Sequence, residues 1–214
     1  MPAQILIADD HEVVRRGLRA LLSADPDWEI CAEAANGREA VERARQLQPD
    51  LVILDTSMPE LDGLGAARQI RKLLPATEVL ILTTKHSENL VREVLEAGAR
   101  GFSLKSDSGR DLIAAVEALL DHRPSFSPQV SEILLEGYLT GAGRKRGEHP
   151  ALTAREREIV QLLAEGKSNK EVASILRISV KTAETHRGHI MAKLNLRNLC
   201  DLVRYAIRNE IVQA

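Results

Sequence analysis

The sequence predicts an α/β fold, a doubly wound parallel sheet of five strands, followed by a small all-α domain of four helices built around a helix-turn-helix. Three observations predict it. Over residues 1–121 short apolar runs alternate five times with amphipathic stretches, whereas 150–214 carries four helical periods, each opened by a capping residue. Charge divides the chain in the same way. Residues 1–121 carry 14 Lys and Arg against 21 Asp and Glu, a balance of −7, while 150–214 carry 11 against 7, or +4, within a net charge of −2. An acidic front and a basic back point to two domains with different partners, the second of them nucleic acid.

The strand candidates are 5–8, 29–32, 51–54, 79–83 and 101–104. Uniformly apolar runs such as Leu51-Val52-Ile53-Leu54 suit the centre of a parallel sheet covered on both faces. Between and after the strands, 12–24, 37–48, 62–73, 87–97 and 109–121 carry apolar residues at helical spacing, as in Val91, Val94 and Leu95. They form the crossovers of right-handed β–α–β units. Residues 122–149 read as a linker. Pro124, Ser125, Ser127 and Pro128 open it, one helical stretch follows near 129–139, and Gly141-Ala142-Gly143-Arg144-Lys145-Arg146-Gly147 makes a flexible tether.

In 150–214, Thr153 with Glu156 and Ser168 with Glu171 have capping-box spacing, and Ser179 and Asn198 cap the third and fourth helices. The stripes Ile159/Leu162/Leu163, Val172/Ala173/Leu176, Ala183/Ile190/Leu194 and Leu199/Leu202/Val203/Ala206 close a small core. Only Arg177-Ile178-Ser179 separates the second helix from the third, the tight joint that a helix-turn-helix needs.

Composition excludes several function classes. Aromatic residues make up 2% of the chain, too few for the stacking platforms that bind single-stranded nucleic acid. The apolar runs fall far short of a membrane span, and no secretory leader opens the sequence, so a cytoplasmic protein is expected. Cys31 and Cys200 stand far apart without ligand-type neighbours, which supports neither a disulfide framework nor a zinc module.

In an open parallel sheet, ligands sit at the carboxyl ends of the strands where strand order reverses. Asp9 and Asp10 close the first strand and Asp55 closes the third. If the order is 2-1-3-4-5, these carboxylates converge. Taken singly, each acid would be a solvated strand end. Together, at ~4 Å, each pair repels by roughly 4 kcal/mol at an effective dielectric of 20, so the cluster calls for a proton or a hard cation such as Mg2+. Thr83 ends the fourth strand and Lys105 follows the fifth, adding a hydroxyl and an ammonium to the same rim. Such a set suits a phosphoryl group carried on a carboxylate.

Ile5-Leu6-Ile7-Ala8-Asp9-Asp10-His11, Leu54-Asp55-Thr56-Ser57-Met58-Pro59 with Gly63, Thr83, and Gly101-Phe102-Ser103-Leu104-Lys105 resemble the receiver domain of bacterial response regulators, over about 1–121. The resemblance implies a flavodoxin-like fold with Asp55 as phosphoacceptor. It also implies Mg2+ held by Asp10, Asp55 and the carbonyl of Ser57 with Asp9 assisting through water, Lys105 on the phosphoryl group, and Thr83 with Phe102 as the switch. Thr56 stands where the family usually has an aliphatic residue, and Thr84 is bulkier than the residue often found there.

On the third C-terminal helix, about 100° per residue sets Ala183, Ile190 and Leu194 toward the core and Lys181, Glu184, Thr185 and Gly188 on the opposite face. Its first turns are the part of a recognition helix that reaches base edges in the major groove, and Gly188 permits close approach. Arg187 is better placed for phosphate, and His186 borders the core, packed there or reading a base. Leu152-Thr153-Ala154-Arg155-Glu156, Gly166-Lys167-Ser168-Asn169-Lys170-Glu171-Val172-Ala173, Ile178-Ser179-Val180-Lys181-Thr182, His186 and Lys193-Leu194 resemble the LuxR-type helix-turn-helix, over about 150–210. On that likeness Lys170, Lys181, Thr182, Glu184, Thr185, Arg187 and Gly188 make the interface with double-stranded DNA.

The two resemblances in this order are those of the NarL/FixJ response regulators. They imply a sensor histidine kinase as phosphoryl source, a promoter operator as target and a homodimer on activation. The domains expected are a receiver over 1–121, a linker over 122–149 and a DNA-binding domain over 150–214. Two alternatives stand beside this reading. One is a DNA-binding regulator that acts without phosphorylation. The other is a phosphatase-like enzyme with an aspartate nucleophile, which would want a second Asp two residues after Asp55, where Ser57 stands.

Overall fold

The computed structural model of the chain describes residues 1–84, 88–127, 130, 152–209 and 211–212. The chain divides into two compact units, Met1–Gly143 and Arg144–Ala214. The first contains β1 (Ala3–Ala8), α1 (Glu12–Leu22), β2 (Trp28–Ala34), α2 (Gly37–Leu47), β3 (Leu51–Asp55), α3 (Gly63–Leu73), β4 (Glu78–Thr83), α4 (Glu88–Glu96), β5 (Gly101–Leu104) and α5 (Gly109–Leu120). Its five strands are all parallel, in the order β2-β1-β3-β4-β5. β1 and β3 are therefore neighbours, with Ala8 opposite Leu54, so the chain leaving each strand arrives at one place.

Period-two alternation explains why both faces of the sheet are apolar. Leu6, Ala8, Val52, Leu54, Val79 and Ile81 join one buried cluster with residues of α2, α3 and α4. Ile5, Ile7, Leu51, Ile53, Leu80 and Leu82 join the other with residues of α1 and α5. Every strand side chain of β3 and β4 is buried, as a central position requires. The ends of the elements differ from the sequence-based ranges by a residue or two. Leu95 is a clearer departure. Val91 and Val94 are buried with Leu90, but Leu95 lies on the outer side of α4, 40% exposed.

The end of α5 leads to a contact that periodicity does not reveal. Ser125 forms a parallel bridge with Gly101, its N–H donating to Arg100 O at 2.9 Å while Phe102 N–H donates to Ser125 O at 3.0 Å. The first residues of the expected linker thus pair with the outer edge of β5, and Phe126 and Val130 join the core beside Phe102. The helix expected near 129–139 and the tether at 141–147 lie outside the described residues, Val130 apart.

The second unit holds α6 (Ala154–Ala164), α7 (Asn169–Leu176), α8 (Val180–Lys193) and α9 (Leu199–Arg208) around one apolar cluster. Thr153/Glu156 and Ser168/Glu171 form reciprocal capping boxes, and Ser179 and Asn198 accept from Thr182 N–H and Asp201 N–H. Each such cap contributes about 1 kcal/mol. Arg177, left-handed at φ 53°, makes the turn between α7 and α8. The expected stripes are buried except on α9, where Leu202 and Ala206 face the core, Val203 is half-buried and Leu199 is 39% exposed. Leu199 begins the helix, where fewer neighbours enclose it.

Glu156 does more than cap α6. Its carboxylate also lies 2.6 Å from Lys193 Nζ, joining the start of α6 to the end of α8. Burial pushes its carboxyl upward, and the bonds from Lys193 and Thr153 outweigh that, holding it below its ordinary value. A carboxylate lowered in this way stabilises the fold above its unfolded pKa, and the contribution is lost as pH falls through the folded pKa. Glu156→Gln should therefore cost about 1 kcal/mol in urea unfolding at neutral pH. The gap to wild type should close as the pH is taken below about 4.

Candidate functional site

The carboxyl ends of β1, β3, β4 and β5 supply one polar cluster. Asp9 and Asp55 are fully buried, and Lys105 reaches them from the turn after β5. Its Nζ lies 2.7 Å from Asp9 Oδ2 and 3.0 Å from Asp55 Oδ1. Burial pushes the Asp55 carboxyl above the ordinary carboxylate range; Lys105 opposes this, and the charge of Asp9 adds to it. Burial would likewise lower Lys105, but its contacts with Asp9 and Asp55 outweigh that and raise it. One cation thus serves two carboxylates, which leaves the buried set negative.

Backbone contacts hold the cluster in place. Arg15 Nη1 donates to Asp9 O at 2.7 Å, and His11 N–H donates to Asp9 Oδ1 at 2.8 Å. Ser57 N–H donates to Asp55 Oδ2 at 3.2 Å. Gly63 begins α3 so close to this strand end that a Cβ would stand 2.0 Å from the Asp55 carbonyl oxygen. Only glycine allows that approach.

The structure brings together Asp9, Asp55 and Lys105 among the residues named from sequence. Asp10 is more exposed and lies 2.7 Å from His11 Nδ1, and the ligand atoms of Asp9, Asp10 and His11 all fall within 4.8 Å of one another. Asp9 Oδ2, though ion-paired, accepts no well-directed hydrogen bond and is buried. An oxygen-rich, negative group with such an atom fits a hard divalent cation. Ser57 is half-buried beside Asp55. Thr83 is buried at the end of β4, and its hydroxyl accepts from Thr56 Oγ1 at 3.0 Å. Phe102, expected to turn inward on activation, is already buried, at 2% exposure. His11, Arg15 and the Thr56–Thr83 bond were missed from sequence. His11 had a signal, its place in the acidic motif, while the other two depend on the fold.

In the second unit, α8 turns Lys181, Thr182, Glu184, Thr185 and Gly188 outward while Ala183 and Ile190 are buried. Lys170 on α7 is exposed as well, and Arg187 and His186 are half-buried. His189, not anticipated, is exposed one turn beyond Thr185. The Thr182 hydroxyl bonds Ser179 Oγ at 2.8 Å and that of Thr185 donates to Lys181 O at 2.9 Å, so both threonines are held in fixed orientation.

A buried carboxylate pair clamped by lysine at the switch point of a parallel sheet, followed on the same chain by a helix-turn-helix, defines a signal receiver coupled to a DNA-binding module. Comparison with known proteins bears this out. Residues 5–117 match the response regulator receiver domain, and 150–206 match the bacterial regulatory proteins of the luxR family. The chain is 37% identical over 214 residues, the full length of both proteins, to the response regulator protein VraR of Staphylococcus aureus. Among solved structures it resembles a LuxR-family two-component response regulator from Aurantimonas sp. SI85-9A1, at 34% identity and TM-score 0.61, over 65% of this chain and 99% of that one. It also resembles RcsB from Salmonella enterica serovar Typhimurium bound to promoter rprA with the phosphomimetic BeF3-, at 28% identity and TM-score 0.64, over 96% and 98%. The chain belongs to the response regulators with a LuxR-type DNA-binding domain. It is a transcription regulator rather than an enzyme, and no described helix is long and apolar enough to cross a membrane.

The clamp makes a stability prediction. Lys105→Ala leaves two buried carboxylates without their cation and should cost about 3 kcal/mol in the absence of divalent metal. Adding Asp55→Asn should recover part of that loss. Urea unfolding of the two variants and wild type, in chelator, reads both effects.

Proposed function

We propose that a sensor histidine kinase phosphorylates this regulator on Asp55 and that the modification drives dimerisation and operator binding in the cytoplasm. The observation that carries the reading is the pairing of Lys105 with both Asp9 and Asp55. In the transfer, a carboxylate oxygen of Asp55 forms the new P–O bond as the P–N bond of a phosphohistidine breaks. Asp9, Asp10, Asp55 and the carbonyl of Ser57 would hold Mg2+, which when bound neutralises charge on the transferring phosphoryl oxygens. Lys105 then pairs with the phosphoryl group in place of the Asp55 oxygen that it now contacts. The Thr83 hydroxyl turns toward the same group.

Phe102 lies one strand away from Thr83, in the core that Phe126 and Val130 complete, so a change at Thr83 alters the packing beneath the segment that leaves the receiver. The consequence is a shift of population between two arrangements. Moving such an equilibrium from 1:99 to 99:1 takes about 5.5 kcal/mol of differential stabilisation. In the second domain, Lys181, Thr182, Glu184, Thr185 and Gly188 meet base edges, while Lys170 and Arg187 meet phosphates. Two such domains side by side would read half-sites about one helical turn apart.

A small-molecule phosphodonor with Mg2+ should add one phosphoryl group by intact mass, and Asp55→Asn should abolish the addition. Thr83→Ala should still be labelled, yet lose the change in sedimentation and DNA affinity. Identical mass and affinity of wild type in both states would favour the phosphorylation-independent alternative. On duplex DNA, log affinity should fall linearly with log salt. Lys181→Ala and Thr185→Ala should relax sequence preference by about 1–3 kcal/mol per affected base pair, whereas Arg187→Ala should weaken all sequences alike.

A further inference from the structure

The outward face of α8 presents Lys181, Thr182, Glu184, Thr185 and Gly188, which differ in what they offer a base. Gly188 has no side chain. The Thr182 hydroxyl bonds Ser179 Oγ at 2.8 Å, and that of Thr185 donates to Lys181 O at 2.9 Å. Lys181 is exposed, but a flexible point cation is satisfied by phosphate on any sequence. Glu184 is the exception. It is exposed, and its carboxylate has no hydrogen bond or ion pair among the described residues. We propose that Glu184 is a specificity-determining residue whose carboxylate accepts from the N4 amino group of a cytosine in the major groove. Each half-site then carries a C·G pair at one fixed place, an assignment that rests on α8 being the recognition helix.

Phosphates repel a carboxylate, and entry into the groove strips it of water, so Glu184 costs affinity on every sequence unless a base donates to it. Guanine shows N7 and O6 in the major groove and thymine shows O4, all acceptors, so neither offsets that cost. Cytosine and adenine each show an amino group. Beside adenine N6 stands the acceptor N7, which repels the same carboxylate, whereas beside cytosine N4 the ring shows only a C–H. A carboxylate with no donor of its own therefore favours cytosine, and an amide, which donates as well, suits adenine.

The helix supports the approach that this contact needs. Glu184 opens the second turn of α8 after the Ser179 cap, within the part of a recognition helix that reaches base edges. Ala183 and Ile190 are buried and fix the rotation that turns Glu184 outward. Gly188 follows one turn on, on the same face. A Cβ at Gly188 would meet no neighbour within 4 Å among the described residues, and its φ is not positive. Nothing within the domain calls for glycine there, although glycine weakens a helix interior. The bare turn lets α8 lie close to the bases, as a side chain no longer than glutamate requires.

The full-length chain, treated with a small-molecule phosphodonor and Mg2+, can be offered a pool of random duplexes and the bound fraction sequenced. Cytosine should be enriched at one fixed place in each half-site. In the pool selected by Glu184→Gln, adenine should stand at that place with the other positions unchanged. The wild-type site is then remade with a 2-pyrimidinone base there, which is cytosine without its amino group. Wild type should bind this duplex about ten-fold more weakly than the cytosine duplex, whereas Glu184→Ala should bind the two alike. A selected site whose cytosine is indifferent to Glu184→Gln, or an equal loss on removal of the amino group in wild type and Glu184→Ala, would each overturn the assignment while leaving α8 as the recognition helix. Failure of wild type to enrich any sequence would overturn the reading of α8 and this assignment together.

Discussion

A single ammonium faces two buried carboxylates, and much of the receiver is arranged to make that possible. Taking an acid out of water raises its pKa unless a cation stands close. Asp55 keeps an elevated value even with Lys105 at 3.0 Å, because burial, with the charge of Asp9 added to it, outweighs what the lysine lowers. The site is therefore short of positive charge by design of the fold. An oxygen-rich site with that shortage is one that a hard divalent cation would suit. The shortage also means that the cluster is stable only while the backbone holds it: Arg15 on the Asp9 carbonyl, Ser57 N–H on Asp55, and Gly63 admitting α3 against the strand end.

The DNA-binding unit is stabilised by different means. Its four helices are short, and short helices are marginal alone. Each begins at a side-chain cap, two of them reciprocal, and Arg155 Nη2 reaches the last carbonyl of α7, that of Leu176, at 2.9 Å. The local signals and the tertiary contacts agree, so α8 can leave a whole face to solvent. A recognition face of this kind must be held rigid by residues that do not touch the ligand, and here the caps and Ala183 with Ile190 do so.

What could be read from sequence was whatever local chemistry determines. Strand alternation, crossover helices, capping boxes and the three-residue turn at Arg177 are local, and the structure contains all of them. The neighbouring of β1 and β3 was needed to bring Asp9 near Asp55, and it was legible only through the general topology of such sheets. Helical periodicity placed Val91 and Val94 correctly but not Leu95, because spacing defines a stripe without its width. The pairing of Asp10 with His11, the buried state of Phe102 and the Thr56–Thr83 bond depend on side-chain direction and on segments distant in sequence. No spacing rule contains that information.

Pairing of Ser125 with β5 bears on how the sheet ends. An outermost strand normally presents unpaired N–H and C=O groups, which can recruit a strand from another molecule. On one side of this sheet, β2 carries the charged Glu29 and Glu33, the latter bound by Arg15 and Arg19. On the other side Phe102 N–H is already taken by Ser125 O, and Arg100 O by Ser125 N–H. The same residues that lead toward the DNA-binding unit thus shield β5 from its neighbours in solution. A receiver cut off at the end of α5 would expose the β5 edge that Ser125 now covers, as a template for self-association.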